Sequence, residues 1–397
     1  MQIHVVQSGQ TLYGIARTYG ISVADLSAAN QINPIQTLVI GQALVIPITG
    51  MYYFVQPGDT LYKIGRRFGV NHLRLAQMNA INPIDPLQIG FRLYIPPAPK
   101  TPVESNAYVE AVNGRFTDAA TSAVVEHAPL LTYLAPFSFE ARPDGSLATF
   151  DVSPIKGASA GSGAVLMMAV TNLENGQFSD AVGEAILNDT SVQDVLLDHI
   201  IEAAGEYGFQ DIHFDFEYLR PEDREPYNAF LKKAAQRLHA ERLLISTALA
   251  PKTSASQTGQ WYTAHDYRAH GEIVDFVVIM TYEWGYSAGP PMAVSPIGPV
   301  RQVLEYAKTE IPANKIMMGQ NLYGYDWTLP FVKGGAYARA ISPQTAISLA
   351  RENHAFIEYD YTAQAPFFYY RDASQNSMSS GLKMQDPSRQ SSICSRS

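Results

Sequence analysis

Hydrophobic residues follow two different spacings along the chain, and from residue 107 onward these spacings alternate. Short apolar runs are typical of buried strands, whereas apolar residues recurring every three or four positions indicate amphipathic helices. The runs lie at 107–112, 130–139, 163–171, 211–219, 243–251, 275–284 and 315–325, with clear helical segments at 191–208 and 225–241. Regular strand–helix alternation predicts a parallel sheet, and seven such strands favour a (β/α)8 TIM barrel. A doubly wound sheet is the alternative, but no Gly-rich phosphate loop follows an early strand.

The first hundred residues contain an internal repeat, in which residues 3–48 align without a gap with residues 52–97. VQSGQTLYGIARTYGI in the first copy corresponds to VQPGDTLYKIGRRFGV in the second. Each copy predicts a strand, a Gly turn, a helix beginning near Thr11 or Thr60, a second helix ending at Asn, and a closing strand. We therefore expect two βααβ modules, 1–49 and 50–97, and a Pro-rich linker over 98–106.

Both copies share the patterns V-x-x-G-[DQ]-T-L and I-G-x-x-L-x-I-P. These patterns resemble the LysM module, a family that binds N-acetylglucosamine-containing glycans such as peptidoglycan and chitin. The resemblance implies a shallow glycan groove in each copy, formed by Gly9, Gln10, Thr11, Ile32, Asn33 and Pro34 and by Gly58, Asp59, Thr60, Ile81, Asn82 and Pro83. For any single residue the alternative is a structural role, since Thr caps helices and Asn-Pro pairs form turns.

The segment DIHFDFEYL, 211–219, alternates apolar residues with Asp211, His213, Asp215 and Glu217. In a barrel, alternate side chains of a strand face inward, and those at its C-terminal end meet the substrate. Asp215 and Glu217 are thus expected to share the inward face at the top of the fourth strand. Two carboxylates at short range raise each other's pKa, which a general acid requires at neutral pH. The alternative, charges that are simply solvated at a strand end, fits poorly with the alternating Ile and Phe.

This D-x-E ending resembles glycoside hydrolase family 18, the chitinase-like family, whose motif is D-G-x-D-x-D-x-E. The resemblance covers residues 107–372 and implies a barrel domain over 107–373. It implies that Glu217 is the proton donor and that Asp215 orients the substrate's acetamido group. Asp211 replaces the Gly of the motif and His213 replaces its middle Asp. The second replacement affects the proton relay behind Asp215, because an imidazole can hydrogen-bond that carboxyl but differs from it in charge.

Two later segments carry the same resemblance. In the first, Met280, Tyr282 and Glu283 fit the family pattern M-x-Y-[DE], which implies that Tyr282 hydrogen-bonds the acetamido carbonyl and that Glu283 and Trp284 line the cleft. In the second, GQNLYGYDW, the resemblance assigns Gln320, Asn321 and Tyr323 to the cleft. It further implies substrate-assisted retention, in which the sugar's own acetamido oxygen is the nucleophile, with no metal and no cofactor.

Charge, cysteine content and apolar content limit the kinds of molecule that the protein is expected to bind. The net charge is −9 and no Lys/Arg run occurs, which argues against nucleic acid. The single cysteine, Cys394, excludes a disulfide framework. The start, MQIHVVQSGQ, does not resemble a secretory signal, and no apolar window reaches the ~18 residues of a membrane span. A soluble monomer that binds glycan is expected.

Two LysM-like copies before a family 18-like domain containing MTYEWGYSAGPPMAVSPIGPVR resemble the spore-cortex peptidoglycan hydrolases of endospore-forming bacteria. The resemblance implies a β-N-acetylglucosaminidase acting on cortex peptidoglycan during germination. It also implies a location in the spore coat or cortex region, or on the cell wall, reached without a secretory signal. Two alternatives remain: a chitinase acting on N-acetylglucosamine polymers, and a glycan-binding spore-coat protein whose barrel is inactive.

The last segment, 374–397, differs in character, with nine serines, no aromatic residue and no strand or helix periodicity. It does not provide the last helix and eighth strand of a family 18 barrel. If the encoding DNA is read one nucleotide earlier, permitted codons can yield W-[FY]-x-D, a pattern that precedes the eighth strand in the family. A frameshift is therefore one hypothesis for this segment. The other is a natural disordered tail. Without an eighth strand, the edges of the first and seventh strands are expected to be unpaired, with weak hydrolysis and poor solubility.

Overall fold

The computed structural model describes residues 2–99, 101–371 and 377–381. These residues divide into two compact units. The barrel unit contains Pro102–Tyr282 and Ile297–Gln320, and the second unit contains the described residues of Met1–Thr101, Glu283–Pro296 and Asn321–Ser397. Within the described residues, no helix is both long enough and apolar enough to cross a membrane.

The barrel unit is built on seven parallel strands, each lying within a predicted run or starting one residue before it. Elements are numbered in chain order, and the first four strands and first four helices belong to the modules described below. The barrel strands are β5 (Asn106–Glu110), β6 (Tyr133–Phe137), β7 (Val165–Thr171), β8 (Asp211–Asp215), β9 (Leu244–Leu249), β10 (Phe276–Ile279) and β11 (Ile316–Met318). They pair in chain order, and in the described part of the chain no strand joins β11 back to β5. The strand predicted over 211–219 is shorter in the structure, where it ends at Asp215.

Helices separate most of these strands. They are α5 (Asp118–His127), α6 (Ser153–Ala158), α7 (Asp180–Leu187), α8 (Thr190–Tyr207), α9 (Arg224–Ala240), α10 (Tyr267–Ile273) and α11 (Ile297–Glu310). The longest, α8, begins after Asp189, whose carboxylate accepts the N–H groups of Ser191 and Val192, and ends at Gly208 in the left-handed conformation. Short hairpin strands at Phe139–Ala141 with Leu147–Ala148, and at Leu173–Glu174 with Gln177–Phe178, extend the strand ends.

An apolar cluster fills part of the barrel unit's core. Its buried members are Tyr133, Ala135, Met167, Phe276 and Val278. Asp211 is in register with Met167 on β7, and two residues further His213 and Ala169 are in register. Since partners in register on parallel strands face the same side of the sheet, β8 carries polar groups from this apolar layer towards its carboxyl end.

Each repeat of the second unit folds as the predicted βααβ module. Module 1 contains β1 (Gln2–Val5), α1 (Leu12–Tyr19), α2 (Val23–Asn30) and β2 (Ala43–Ile46); module 2 contains β3 (Met51–Phe54), α3 (Leu61–Phe68), α4 (His72–Met78) and β4 (Arg92–Ile95). Thr11 and Thr60 cap the first helices by accepting the N–H groups of Gly14 and Lys63 at 3.1 and 3.2 Å. In module 1 the Asn30 side chain joins the second helix to β2 through hydrogen bonds of 2.7 and 2.8 Å to Val45.

The second unit also contains a sheet that the sequence did not predict. Its strands are β12 (Gly324–Leu329), β13 (Arg339–Ile341), β14 (Glu358–Asp360), β15 (Ala365–Arg371) and β16 (Ser377–Gly381), with helix α12 (Pro343–Glu352) between β13 and β14. All its pairings are antiparallel, in the order β13-β12-β16-β15-β14. The stretch predicted as barrel over 107–373 therefore includes this separate α/β segment, which we call the α12 segment (324–381).

Part of the serine-rich tail also departs from the prediction. Ser377–Gly381 forms β16 between β12 and β15, although no strand was predicted in 374–397. Backbone pairing on both sides gives this serine-rich stretch a strand conformation that its sequence alone does not favour. The frameshift hypothesis concerns the whole tail, and apart from Ser377–Gly381 that tail lies outside the described residues, as does the prediction of a missing eighth strand.

Candidate active site

Three polar residues of β8 are buried one behind another. Asp211 and His213 are fully buried, and Asp215, the last residue of the strand, is 6% exposed. Asp215 is in register with Thr171 at the carboxyl end of β7. The alternation of DIHFD thus produces an inward polar row, as predicted, and the interior that receives it is closed to water.

Glu217 follows the strand in an irregular segment and is held from two directions. The Asn172 side chain accepts the N–H of Glu217 and donates to its C=O, both at 2.9 Å. The indole N–H of Trp261 donates to Glu217 Oε2. Trp261 stacks at 6.0 Å, in nearly parallel planes, on Tyr218, whose positive φ of 53° turns the chain directly after Glu217. The backbone and the carboxyl of Glu217 are therefore both fixed.

Burial raises the pKa of both acidic side chains. The pKa of Glu217 lies well above its usual range, first because the group is buried and second because Asp215 is close, while the Trp261 hydrogen bond acts in the opposite direction. Burial likewise raises the pKa of Asp215. The larger rise keeps Glu217 protonated near neutral pH, where it can donate a proton, whereas the pKa of Asp215, about 7, leaves part of that group ionised. The sequence attributed this rise mainly to like charge, whereas burial is the larger cause.

His213 takes part in a buried chain of hydrogen bonds. Ser246 donates to Asp211 Oδ2 at 2.7 Å, and Ser246 Oγ lies 2.8 Å from His213 Nδ1. The hydroxyl of Tyr108 lies 2.9 Å from His213 Nε2. Burial lowers the pKa of His213 to about 3, so the ring is neutral at physiological pH. Because Ser246 gives its only hydrogen to Asp211, Nδ1 carries the ring proton and Nε2 accepts from Tyr108.

This chain changes the interpretation of the His213 replacement. Both ring nitrogens of His213 contact Ser246 and Tyr108, so neither is left to hydrogen-bond Asp215. The sequence had allowed a hydrogen bond between His213 and Asp215. Within the described residues, Asp215 Oδ1 is buried without a hydrogen-bond partner. A buried acceptor without a partner is costly, and one at the carboxyl end of a strand is available to a ligand.

Two further predicted residues lie in the barrel unit. Tyr282 follows β10, and its ring packs so closely on Gly319 that a Cβ there would lie 2.7 Å from the ring. The Thr281 hydroxyl donates to the carbonyl of Gly319 at 2.6 Å, which joins the ends of β10 and β11. Gln320 comes directly after that glycine and is partly buried. Tyr282 also contributes to the raised pKa of Tyr108, which places it close to the β8 polar row.

The other predicted cleft residues belong to the second unit, where they form a polar cluster. Glu283 accepts hydrogen bonds from the hydroxyls of Tyr323 and Tyr325, the latter at 3.0 Å. Asn321 accepts from Ser295 at 2.8 Å and donates to the carbonyl of Tyr323 at 2.6 Å. Trp284, partly buried, is fixed by a backbone hydrogen bond of 3.0 Å to Val294.

The predicted groove residues of the modules occupy two kinds of position. Exposed positions are Gly9, Gln10, Thr11, Asn33 and Pro34 in module 1 and Gly58, Thr60, Asn82 and Pro83 in module 2, with Asp59 partly exposed. Ile32 instead belongs to the core of module 1, at 9% exposure, and Ile81 packs against the core of module 2. The isoleucines therefore anchor the loop, and the neighbouring Asn-Pro pairs are what the surface presents.

Sequence reasoning missed four residues that support the site. They are Tyr108, Asn172, Ser246 and Trp261, each in hydrogen-bond contact with Glu217 or His213. Asn172 could have been found, since it is a polar residue directly after the strand Val165–Thr171, where barrel sites lie. Trp261 lies in a loop far from any motif, and nothing in its neighbourhood indicates the role. In the described part of the chain, no group of three His, Cys, Asp or Glu side chains is arranged to hold a metal ion.

Comparison with known proteins identifies the families of the two parts of the chain. Residues 138–379 match the family of glycosyl hydrolases family 18, and residues 4–47 and 53–96 each match the LysM domain. The cortical fragment-lytic enzyme of Bacillus subtilis (strain 168) is 63% identical over 373 residues, which cover 94% of this chain and 86% of that protein. That of Bacillus anthracis is 51% identical over the same coverage.

Solved structures of high similarity have the same architecture. The crystal structure of the Bacillus megaterium QM B1551 spore cortex-lytic enzyme SleL shares 50% identity and a TM-score of 0.88, covering 96% of this chain and 88% of the other. That of the Bacillus cereus enzyme shares 45% identity and a TM-score of 0.86, with the same coverage. The predicted fold, a TIM barrel preceded by two βααβ modules, is confirmed. The chain belongs to glycosyl hydrolases family 18 and carries two LysM domains before its hydrolase domain.

Proposed function

We propose that the protein is a β-N-acetylglucosaminidase that cleaves spore-cortex peptidoglycan with retention of configuration. The observation that carries the proposal is the pair formed by Glu217 and Asp215. Glu217 is buried, held by Asn172 and Trp261, and has a pKa well above the usual range. Asp215 offers a buried carboxylate oxygen that has no partner among the described residues. Glu217 is thus suited to donate a proton, and Asp215 is suited to accept a hydrogen bond from an N–H group.

In the proposed reaction Glu217 protonates the glycosidic oxygen, and the substrate's 2-acetamido oxygen attacks the anomeric carbon. This closes an oxazolinium ring and releases the leaving sugar. Asp215 Oδ1 accepts the acetamido N–H, and its negative charge stabilises the positive ring. The Tyr282 hydroxyl donates to the acetamido carbonyl oxygen and orients it. Glu217, now ionised, removes a proton from water as the water opens the ring.

The other predicted residues have supporting parts in this proposal. The His213 chain holds the β8 polar row in place without delivering charge to it, because the imidazole is neutral. Gln320, in the barrel unit, is proposed to contact a neighbouring part of the sugar, and the polar cluster of the second unit is proposed to bind glycan through Glu283, Trp284, Asn321 and Tyr323. The LysM modules are proposed to hold the glycan through the loops at Gly9–Thr11 and Gly58–Thr60 and the two Asn-Pro pairs. The names of the relatives support cortex or cell-wall association.

The test compares the parent with Glu217→Gln on purified cortex fragments, with products identified by mass spectrometry. Glu222→Gln is the matched control, since Glu222 lies in the same loop region but its side chain is 67% exposed. We expect loss of about 10²-fold or more in turnover for Glu217→Gln and parental turnover for the control. Equal cleavage by parent and Glu217→Gln would remove Glu217 from the mechanism.

The same assay separates the two alternative functions. Faster release of N-acetylglucosamine products from chitin than from cortex would indicate a chitinase. Binding of cortex without any cleavage by the parent would indicate a glycan-binding coat protein with an inactive barrel.

A further inference from the structure

Module 1 shares a hydrophobic core with the α12 segment. Val39, on the loop before β2, is 4% exposed and clusters with buried residues of that segment. They are Ile341, Ala346, Ala350, Ile357 and Phe368. Val39 does not belong to the cluster that forms the core of module 1 itself. Its burial therefore comes from contact with the α12 segment and not from the folding of the module.

Backbone contacts reinforce this apolar contact. The N–H of Ile357 donates to the carbonyl of Ile40 at 3.0 Å, and the Arg351 guanidinium donates to the carbonyl of Thr37, also at 3.0 Å. Gly41 approaches so closely that a Cβ at this position would lie 1.9 Å from the carbonyl oxygen of Ile357. No side chain larger than hydrogen fits there without moving one backbone away from the other.

The second copy of the repeat provides an internal comparison. Gln88 stands in module 2 where module 1 has Val39, and Ile89, the counterpart of Ile40, is 69% exposed. Gly90 corresponds to Gly41 and has a similar positive φ, 80° against 85°, but a Cβ on Gly90 would meet nothing within 4 Å. The two copies thus share the Ile-Gly turn and differ at the residue before it, Val39 in module 1 and Gln88 in module 2.

Module 2 is attached to module 1 instead. The Gln2 side chain donates to the carbonyl of Tyr52 at 2.8 Å and accepts its N–H at 2.7 Å. Arg92 donates to the carbonyl of Thr18 and lies over the Tyr52 ring, 4.5 Å from its centroid. These contacts leave the loops of Asn33 and Asn82 exposed.

We propose that module 1 is permanently docked on the α12 segment through Val39, Ile40 and Gly41, and that module 2 is held through module 1. Module 1 then acts as a glycan-binding part that is fixed to the α12 segment, and not as a separately tethered module. Glycan binding by module 1 rests on the proposed function, whereas its docking on the α12 segment does not. Gly9, Asn33 and Pro34 remain exposed with module 1 docked, so docking and glycan binding are compatible.

Hydrogen exchange on the full chain without glycan tests the docking. We compare Gly41→Ala with Gly90→Ala, because both substitutions place a side chain at the same backbone conformation and only the first meets Ile357. We expect amides of 343–357 to exchange about tenfold faster in Gly41→Ala and at the parental rate in Gly90→Ala. Equal exchange of 343–357 in the two variants would overturn the proposal.

A second pair covers the case in which Gly41→Ala unfolds module 1, which accelerated exchange in α1 and α2 would reveal. Val39→Gln installs the residue of module 2, and Gln88→Val is its reciprocal control. Faster exchange at 343–357 in Val39→Gln, with α1 and α2 still protected, supports docking. Unchanged exchange at 343–357 in Val39→Gln overturns it. Neither result depends on glycan cleavage, so the docking and the proposed activity fail independently.

Discussion

Replacing Trp261 by Phe should shift the pH dependence of activity upward. The indole N–H donates to Glu217 and lowers the pKa of that carboxyl, against burial and Asp215, which raise it. Phenylalanine keeps an aromatic ring against Tyr218, so the burial of Glu217 is retained while the donor is lost. A hydrogen bond to a charged group contributes about 1.5–3 kcal/mol, and one pKa unit corresponds to about 1.4 kcal/mol. The pKa of Glu217 should therefore rise by about 1–2 units.

The sign follows from the role of a general acid. Glu217 donates only while protonated, so activity falls as the pH rises through its pKa, and a higher pKa moves that fall to higher pH. The assay is kcat/KM on soluble cortex fragments across pH 4–10. Tyr262→Phe is the control, since its ring neighbours Trp261 at 5.4 Å but no hydrogen bond joins it to Glu217. A basic limb that stays in place or moves to lower pH in a folded Trp261→Phe protein would refute this reasoning.

Two further predictions concern stability. Ser246→Ala leaves the N–H of His213 and the Asp211 carboxyl without their shared partner, at about 1–3 kcal/mol each. Urea unfolding should therefore show a loss of about 2–6 kcal/mol, and no loss would mean that these hydrogen bonds are not formed. Glu217→Gln should make the protein more stable than the parent at pH 8. The pKa of Glu217 is higher in the folded than in the unfolded chain, so its ionisation at high pH opposes folding. The difference should shrink towards pH 4, where Glu217 is protonated in the unfolded chain as well as in the folded one. A difference that instead grows towards low pH would contradict the raised pKa.

Local pattern was sufficient for much of the fold. The seven strand runs, the two longest helices and the repeated βααβ modules could be predicted because burial imposes a period of two or 3.6 on neighbouring residues. The closeness of Asp215 and Glu217 was predicted from their alternate spacing, although the strand itself ends at Asp215 and Glu217 follows it in an irregular segment. The α12 segment could not be separated from the barrel, because alternation shows that a strand is half-buried but not which strand it pairs with.

The sequence by itself therefore determined the repeat, the strands and helices of the barrel, and the acidic pair at the end of β8. Only the tertiary structure decided what surrounds that pair. Trp261 and Asn172 reach Glu217 from 44 and 45 residues away, and Tyr108 reaches His213 from 105 residues away. It also decided that Val39 is buried, although Gln88 occupies the equivalent position in the second copy. Such contacts depend on which surfaces meet after folding, and local periodicity carries no information about that.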